Sequence, residues 1–339
     1  DDLPAALDLL AAMMRSPAFD PERLETARLE AIERVRRQND EPHKIASRIL
    51  MHAIYGDHPL GRTPTVASLN AVSRDDLLAF ARRYLHPNNL WLAISGDFDT
   101  PRLRKQLGRA FSGWASQQFA PQPLPPVASA ASPLVLVVSK ALPQTTIFLG
   151  ELGIDKSSPD LYALRVMNYI LGGGGFNSHL MREIRSNRGL AYSVYSQFEI
   201  GRRLPGPFVA VCETKSGSTL QVVRLMRQAE ERMRQTPVAA QELKLAKESL
   251  VNSFVFAFAE SRMVTNLAMR LDFYGYPSDY LQRYRDRIEA VTAADVQRVA
   301  RSYLHPDRQT FVLVGDPEKF DANPATLGLP VKTLDVKGP

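Results

Sequence analysis

The chain has 339 residues, 45% hydrophobic and 23% charged, enough for about two domain cores and too apolar for a disordered chain. Its net charge is +6, yet lysines and arginines are interleaved with acids in no run of about five or six like charges, which argues against a nucleic-acid partner. A single cysteine, Cys212, excludes an intramolecular disulfide and any cysteine-based zinc site, and no apolar run approaches the roughly 18–20 residues that span a bilayer.

The chain opens inside a helical pattern, DDLPAALDLLAAMM, without an initiator methionine. That start fits a chain with something upstream and leaves the compartment open. Asp20-Pro21 begins a helix whose Leu24, Ala27, Ala31 and Val35 share one face. Asp40-Glu41-Pro42 breaks it, and a second helix runs to Tyr55, stopped by Gly56. Ser73-x-x-Asp76 predicts a capping box for a helix reaching Tyr84. A short strand is expected over Leu90–Ser95, then a helix from Thr100-Pro101 to near Trp114. Prolines crowd the stretch 116–133, which reads as an interdomain linker. Strands are expected over Leu134–Ser139 and Thr145–Glu151, and a helix capped by Ser158-Pro159 leads into the glycines Gly172, Gly173, Gly174 and Gly175. Two further strands, Tyr192–Ile200 and Phe208–Thr214, precede long helices from about Gly217 to Phe273.

An internal repeat governs the reading of domains. AVSRDDLLAFARRYLHPNNLWLAISGD (71 to 97) aligns without a gap with AVTAADVQRVARSYLHPDRQTFVLVGD (290 to 316). Adding 219 carries Asp76 to Asp295, Tyr84 to Tyr303, His86 to His305, Tyr55 to Tyr274 and Leu24 to Leu243. A register held this far is a duplication. It predicts an α+β protein of two homologous domains, each an antiparallel-rich sheet covered by helices. Residues 1–115 would be the later part of the first domain and 134–339 the complete second. On this arithmetic the stretch 134–219 has no counterpart in the first copy, which lacks its opening portion.

The four glycines lack the Gly-Lys-Ser/Thr ending of a phosphate loop, and a helix rather than a strand precedes them, so a nucleotide site is not indicated. They read as a helix end and hinge that also lets a ligand approach backbone. The histidines form no His-x-x-Glu-His or His-Glu-x-x-His pattern, and His86 and His305 occupy equivalent turn positions. No Gly-x-Ser-x-Gly elbow is present. Arg185 and Tyr192 remain: a guanidinium offers planar donors to a carbonyl or carboxylate, and a phenol can donate to a developing oxyanion.

The duplicated domain, the repeated Tyr-Leu-His-Pro before a strand and Gly-Asp, and LGGGGFNSHLMREIRSNRGLAYSV together resemble the pitrilysin/insulinase-type zinc metallopeptidases, the group that includes mitochondrial processing peptidase. The resemblance implies two αβ domains, one with zinc on a His-x-x-Glu-His helix and one supplying an arginine and a tyrosine to the substrate. On it, Arg185 and Tyr192 act on peptide bound by Gly172, Gly173, Gly174, Gly175 and Phe176. This chain has no His-x-x-Glu-His, and Arg34 stands where relatives carry the distal glutamate ligand, with Glu33 one residue away. A one-residue offset turns a helical side chain by about 100°. The resemblance therefore implies a subunit with no cofactor of its own, paired with a zinc-bearing homologous subunit and an extended peptide substrate. A single-chain or homodimeric zinc peptidase, a structural core-type protein of a larger complex and a peptide-binding module are the other readings.

Overall fold

The computed structural model describes residues 2–127 and 133–336. The helices are α1 (Leu3–Arg15), α2 (Pro21–Arg36), α3 (Pro42–Tyr55), α4 (Val66–Ala71), α5 (Arg74–Tyr84), α6 (Thr100–Ala110), α7 (Leu161–Asn168), α8 (Thr219–Gln235), α9 (Ala240–Phe254), α10 (Ser261–Phe273), α11 (Tyr280–Glu289) and α12 (Ala293–Tyr303). The strands are β1 (Val135–Ser139), β2 (Gln144–Leu152), β3 (Ala191–Phe198), β4 (Pro207–Lys215), β5 (Thr310–Gly315) and β6 (Val331–Leu334).

The repeat is visible in the helices. α5 and α12 start and stop 219 residues apart, and each begins with a capping box, Ser73 with Asp76 and Thr292 with Asp295. α2 and α9, and α3 and α10, likewise begin 219 apart. The chain forms two compact units that are not simply its two halves. One holds the chain up to Arg36, Pro64–Leu124 and Phe256–Tyr276; the other holds Arg37–Thr63 and the described residues of Pro125–Val255 and from Pro277 on. The equivalent helices α3 and α10 thus each fall in the unit built mainly from the other copy.

The second unit is built on one sheet in the order β3-β4-β2-β5-β1-β6. β3, β4, β2 and β5 pair antiparallel in turn, while β1 lies parallel to both β5 and β6. β1 and β5 read as nearly continuous apolar runs because both faces of the sheet are covered. Val135, Val137, Ile147, Leu149, Phe311 and Leu313 face a core shared with α7, α8 and α12. Leu136, Val138, Phe148, Val312 and Val314 face the opposite side, against Ile45, Ala46, Leu50 and Ile54 of α3. Those four recur at helical spacing, and α3 buries that stripe on the sheet.

Several local expectations are corrected. Leu90–Ser95 forms no strand, although its repeat equivalent is β5. β5 lies between β2 and β1, and a strand exists only as part of such a ladder; among the described residues none pairs with 90–95. Trp91 packs edge-on against Phe273 and donates Nε1–H to Asp272 instead. The helical stretch after Gly217 is not continuous but divides into α8, α9, a 3₁₀ turn at Val255–Phe258 and α10. α6 ends at Ala110, short of Trp114, with Asp99 capping Arg102 N–H. α7 begins after Asp160, whose carboxylate is engaged by Arg298 and Tyr303 and so does not cap the helix. The proline-rich stretch carries no regular structure up to Val127, and 128–132 lie outside the described residues.

Cys212 is buried on β4, and that burial, with Glu213 beside it, pushes its thiol up to about 12, the state of an unreactive core cysteine. Under the helical layer lies a network of Glu230, Gln309, Glu151 and His305. Gln309 Nε2 donates to Glu230 Oε2 at 2.7 Å and to Glu151 Oε1 at 2.9 Å, while His305 Nδ1 donates to Glu151 Oε2 at 2.6 Å. Glu230 Oε1 and Gln309 Oε1 are both buried without a donor. Burial first, and then the Glu151 charge, raise the Glu230 carboxyl well above its usual range, against the weaker pull of Gln309, Arg227 and Arg234.

A carboxyl whose pKa is raised by folding contributes stability that is whole below the unfolded carboxyl range and is lost as pH rises through the folded value. Urea unfolding followed from pH 5 to 9 should therefore show a loss of stability with rising pH that Glu230→Gln flattens. Glu230→Ala should cost about 1–3 kcal/mol at pH 6 by removing the Gln309–Glu230 hydrogen bond from a buried site.

Candidate functional site

The site is assembled by two irregular helical turns and a bulged edge strand. After Asn168 the helix widens into a π turn over Tyr169–Gly173, closed by Gly174 N–H donating to Tyr169 O at 2.8 Å. The glycines explain how that turn reaches the sheet. A Cβ on Gly172 would lie 2.4 Å from the backbone nitrogen of Ser196 on β3. Asn168 Nδ2 donates to Ser196 O, and Ser196 Oγ–H donates back to Asn168 Oδ1, so helix and strand lock together over the bare α-carbon. Gly174 is packed on Tyr169, where a Cβ would meet the ring at 2.7 Å. Gly175 has φ +57°, which reverses the chain into a 3₁₀ turn, Gly175–Asn177. Gly172 is thus buried backbone packing, while Gly173, Gly175 and Phe176 are exposed.

A second π turn, Met181–Ser186, buries Met181 and Ile184 and is closed by Asn187 N–H to Arg182 O at 2.9 Å. Its outer face is anchored by Glu183, which accepts from Arg188 at 2.5 Å and Arg232 at 3.2 Å. Partial burial alone would raise the Glu183 carboxyl, but these two arginines outweigh it and hold it below the usual range. His179 is buried and bonded through Nε2 to Glu242, which Arg182 also engages. Desolvation lowers the His179 pKa despite Glu242. These ties fix the turn that carries Arg185.

In the β3–β4 ladder Ala191 pairs with Thr214 and Val194 with Cys212, so Tyr192 and Ser193 together oppose Glu213. Such a bulge re-aims side chains at a sheet edge. Tyr192 is 82% exposed and Phe176 66% exposed, yet neither is isolated. The Arg185 guanidinium carbon lies 4.7 Å from the centre of the Phe176 ring and 4.7 Å from that of Tyr192. Two aromatic contacts hold one cation, each worth about 0.5–1 kcal/mol at an exposed position. No carboxylate among the described residues pairs with Arg185. Ring contact engages the π surface of a guanidinium, so its N–H rim stays available to a carbonyl or carboxylate beside the Tyr192 hydroxyl. Arg185, Tyr192 and Phe176, predicted from the sequence, are thus brought together. The bulge at Tyr192-Ser193 carries no local sequence signal, and the Glu183 anchor only part of one, because β4 and Arg232 lie far along the chain while Arg188 is near.

The peptidase M16 inactive domain model matches residues 71–250, and the insulinase (peptidase family M16) model matches residues 1–66. The chain belongs to peptidase family M16. An uncharacterized zinc protease of Streptomyces coelicolor is 28% identical over 89% of this M16 chain and 67% of its own length. A non-peptidase homolog of Helicobacter pylori is 23% identical over 93% of the chain and 72% of its own. The crystal structure of a peptidase M16 inactive domain from Pseudomonas fluorescens superposes with a TM-score of 0.84 at 26% identity, covering 92% of this chain and 74% of that one.

Among the described residues of this M16 chain, no group of three His, Cys, Asp or Glu side chains is placed to hold a metal ion. Glu33 and Arg34 both lie on the exposed side of α2, away from its buried Ile32 and Val35. An arginine cannot ligate zinc.

The glycine roles separate by substitution. Gly172→Ala forces a carbon onto Ser196 backbone and should cost about 2–4 kcal/mol in urea unfolding, in the upper part of the range for point substitutions. Gly175→Ala meets no atom and should cost only about 1 kcal/mol, from its positive φ.

Proposed function

We propose that this chain is the non-catalytic member of a two-subunit zinc metallopeptidase. It binds an extended peptide and supplies Arg185 and Tyr192 to the active site of a zinc-bearing homologous partner. The observation that carries this reading is the Phe176–Arg185–Tyr192 stack, in which one guanidinium is held by two exposed rings without a carboxylate partner. The Arg185 N–H rim donates to a substrate carbonyl, and the Tyr192 hydroxyl donates to the oxygen that becomes negative as the peptide carbonyl is attacked. Gly173, Gly175 and Phe176 present backbone and ring to the same chain of substrate. The partner supplies zinc and the activated water; this chain supplies donors only.

A second reading keeps the zinc-bearing segment on the same polypeptide. It is favoured by the zinc-protease name of the Streptomyces relative, of which this chain spans 67%.

The test combines this chain with its zinc-bearing homologue and measures cleavage of an unstructured peptide. Tyr192→Phe should lower kcat about 10²–10³-fold, the usual effect of removing one oxyanion donor, with little change in KM. Arg185→Ala should raise KM as well, and Phe176→Ala should fall between. Cleavage by the pair that ignores all three substitutions overturns the proposal, and zinc-dependent cleavage by this polypeptide alone establishes the second reading.

A further inference from the structure

Away from the stack, the second unit carries a trough of about 650 Å³ on the α3 side of the sheet, beside the edge strand β6. That volume falls within the roughly 300–1,000 Å³ of small-molecule sites. Its apolar surface comes from Ile49 on α3 and from Leu136 and Leu334 on β1 and β6. The register Leu136↔Lys332 and Val138↔Leu334 places these residues on the face that α3 covers further along.

The charged groups around the trough are of one sign. Arg48, Arg62 and Lys332 line it beside His52 and Thr63, and no carboxylate does. Arg48 donates to Gln38 O at 3.0 Å and to Asn39 Oδ1 at 2.5 Å, and Arg62 to Asp57 O at 2.7 Å. All of these acceptors are neutral, and none of the three cations has an ion-pair partner among the described residues. Arg48 is also half-buried, and desolvation lowers its pKa, so its charge is uncompensated where compensation is worth most. A lysine turned towards the covered face of an edge strand is a known guard against edge-to-edge pairing, and that accounts for Lys332 alone. It does not account for two arginines on separate segments converging on the same trough.

We propose that this trough binds a single-chain anionic amphiphile, with its acyl tail along Ile49, Leu136 and Leu334 and its carboxylate among Arg48, Arg62 and Lys332. A peptide fits less well. Its neutral backbone leaves the three cations without a counter-charge. The occupant that matches an apolar floor with a cationic rim free of carboxylates has one apolar end and one anionic end.

Calorimetric titration of this chain with decanoate, below its micelle concentration, tests the assignment. Saturable one-to-one binding is expected, and decyltrimethylammonium, with the same tail and opposite charge, should bind at least tenfold more weakly. Arg62→Glu combined with Lys332→Glu should weaken decanoate at least tenfold while the melting temperature holds. Should the double variant melt early, Lys332→Gln, at an exposed position, is read in its place and should weaken decanoate measurably. No saturation with decanoate, equal binding of the cationic amphiphile, or unchanged affinity in the variant that folds would each overturn the proposal.

Discussion

The contact on which the site depends is the approach of Gly172 to Ser196. It brings a helix end against a strand at a separation that no side chain permits. The reciprocal Asn168–Ser196 hydrogen bonds then fix the rotation of that helix end about the contact. With the helix seated, the chain must rise away from the sheet, which it does through the π turn and the positive φ of Gly175. Phe176 emerges where Arg185 can stack on it. Without the close approach the two rings that hold the guanidinium would belong to unrelated surfaces. Holding a long side chain between rings also removes rotamer freedom that binding would otherwise have to remove, so the donor is oriented in advance.

β3, the edge strand that carries Tyr192, lies beside β4 and buries one face, through Ala191, Val194 and Phe198. α7, α8 and α12 cover one face of the sheet, and α3 covers the other with a stripe from Ile45 to Ile54. The repeat places α3 with the first copy, yet it supplies core to a sheet built from the second. The central strands, covered on both faces, have little freedom to flex, while the bulge at Tyr192-Ser193 stands exposed at the edge they support.

Much of this was legible in the amino-acid order, for physical reasons that differ by element. Capping boxes at Ser73 and Thr292 are local, because side chain and backbone three residues apart satisfy each other. The apolar strands β1, β2, β4 and β5 were legible because burial on both faces demands unbroken hydrophobic runs. Leu90–Ser95 misled for the complementary reason. It has the same composition as β5, but composition does not provide neighbours, and pairing decides. The glycines were read as hinge and platform, and the structure assigns Gly172 to packing, a role set by Ser196, some twenty-four positions away. Arg185 and Tyr192 were singled out by a family resemblance, and their seven-residue spacing says nothing of the ring stack, which needs a bulge and a π turn to form.

The chemistry left exposed differs in kind from the chemistry buried. Inside, carboxylates are matched: Glu151 by His305 and Gln309, Glu183 by Arg188 and Arg232, Glu242 by His179 and Arg182. At the stack the polar groups on offer are the N–H rim of Arg185 and a phenol. Donors of this type stabilise negative charge as it develops on an oxygen, but they cannot remove a proton from water, because an arginine is never deprotonated and a phenol at neutral pH holds its own proton. Amide hydrolysis needs both halves, a base or metal that makes the nucleophile and donors that receive the charge. A surface built from donors alone is therefore chemically incomplete in a specified way. On the proposed function, what completes it brings the nucleophile to the face where Phe176, Arg185 and Tyr192 are exposed. That requirement is the physical content of placing this chain beside a zinc-bearing subunit, and it holds whether the metal rides on a separate chain or on the same one.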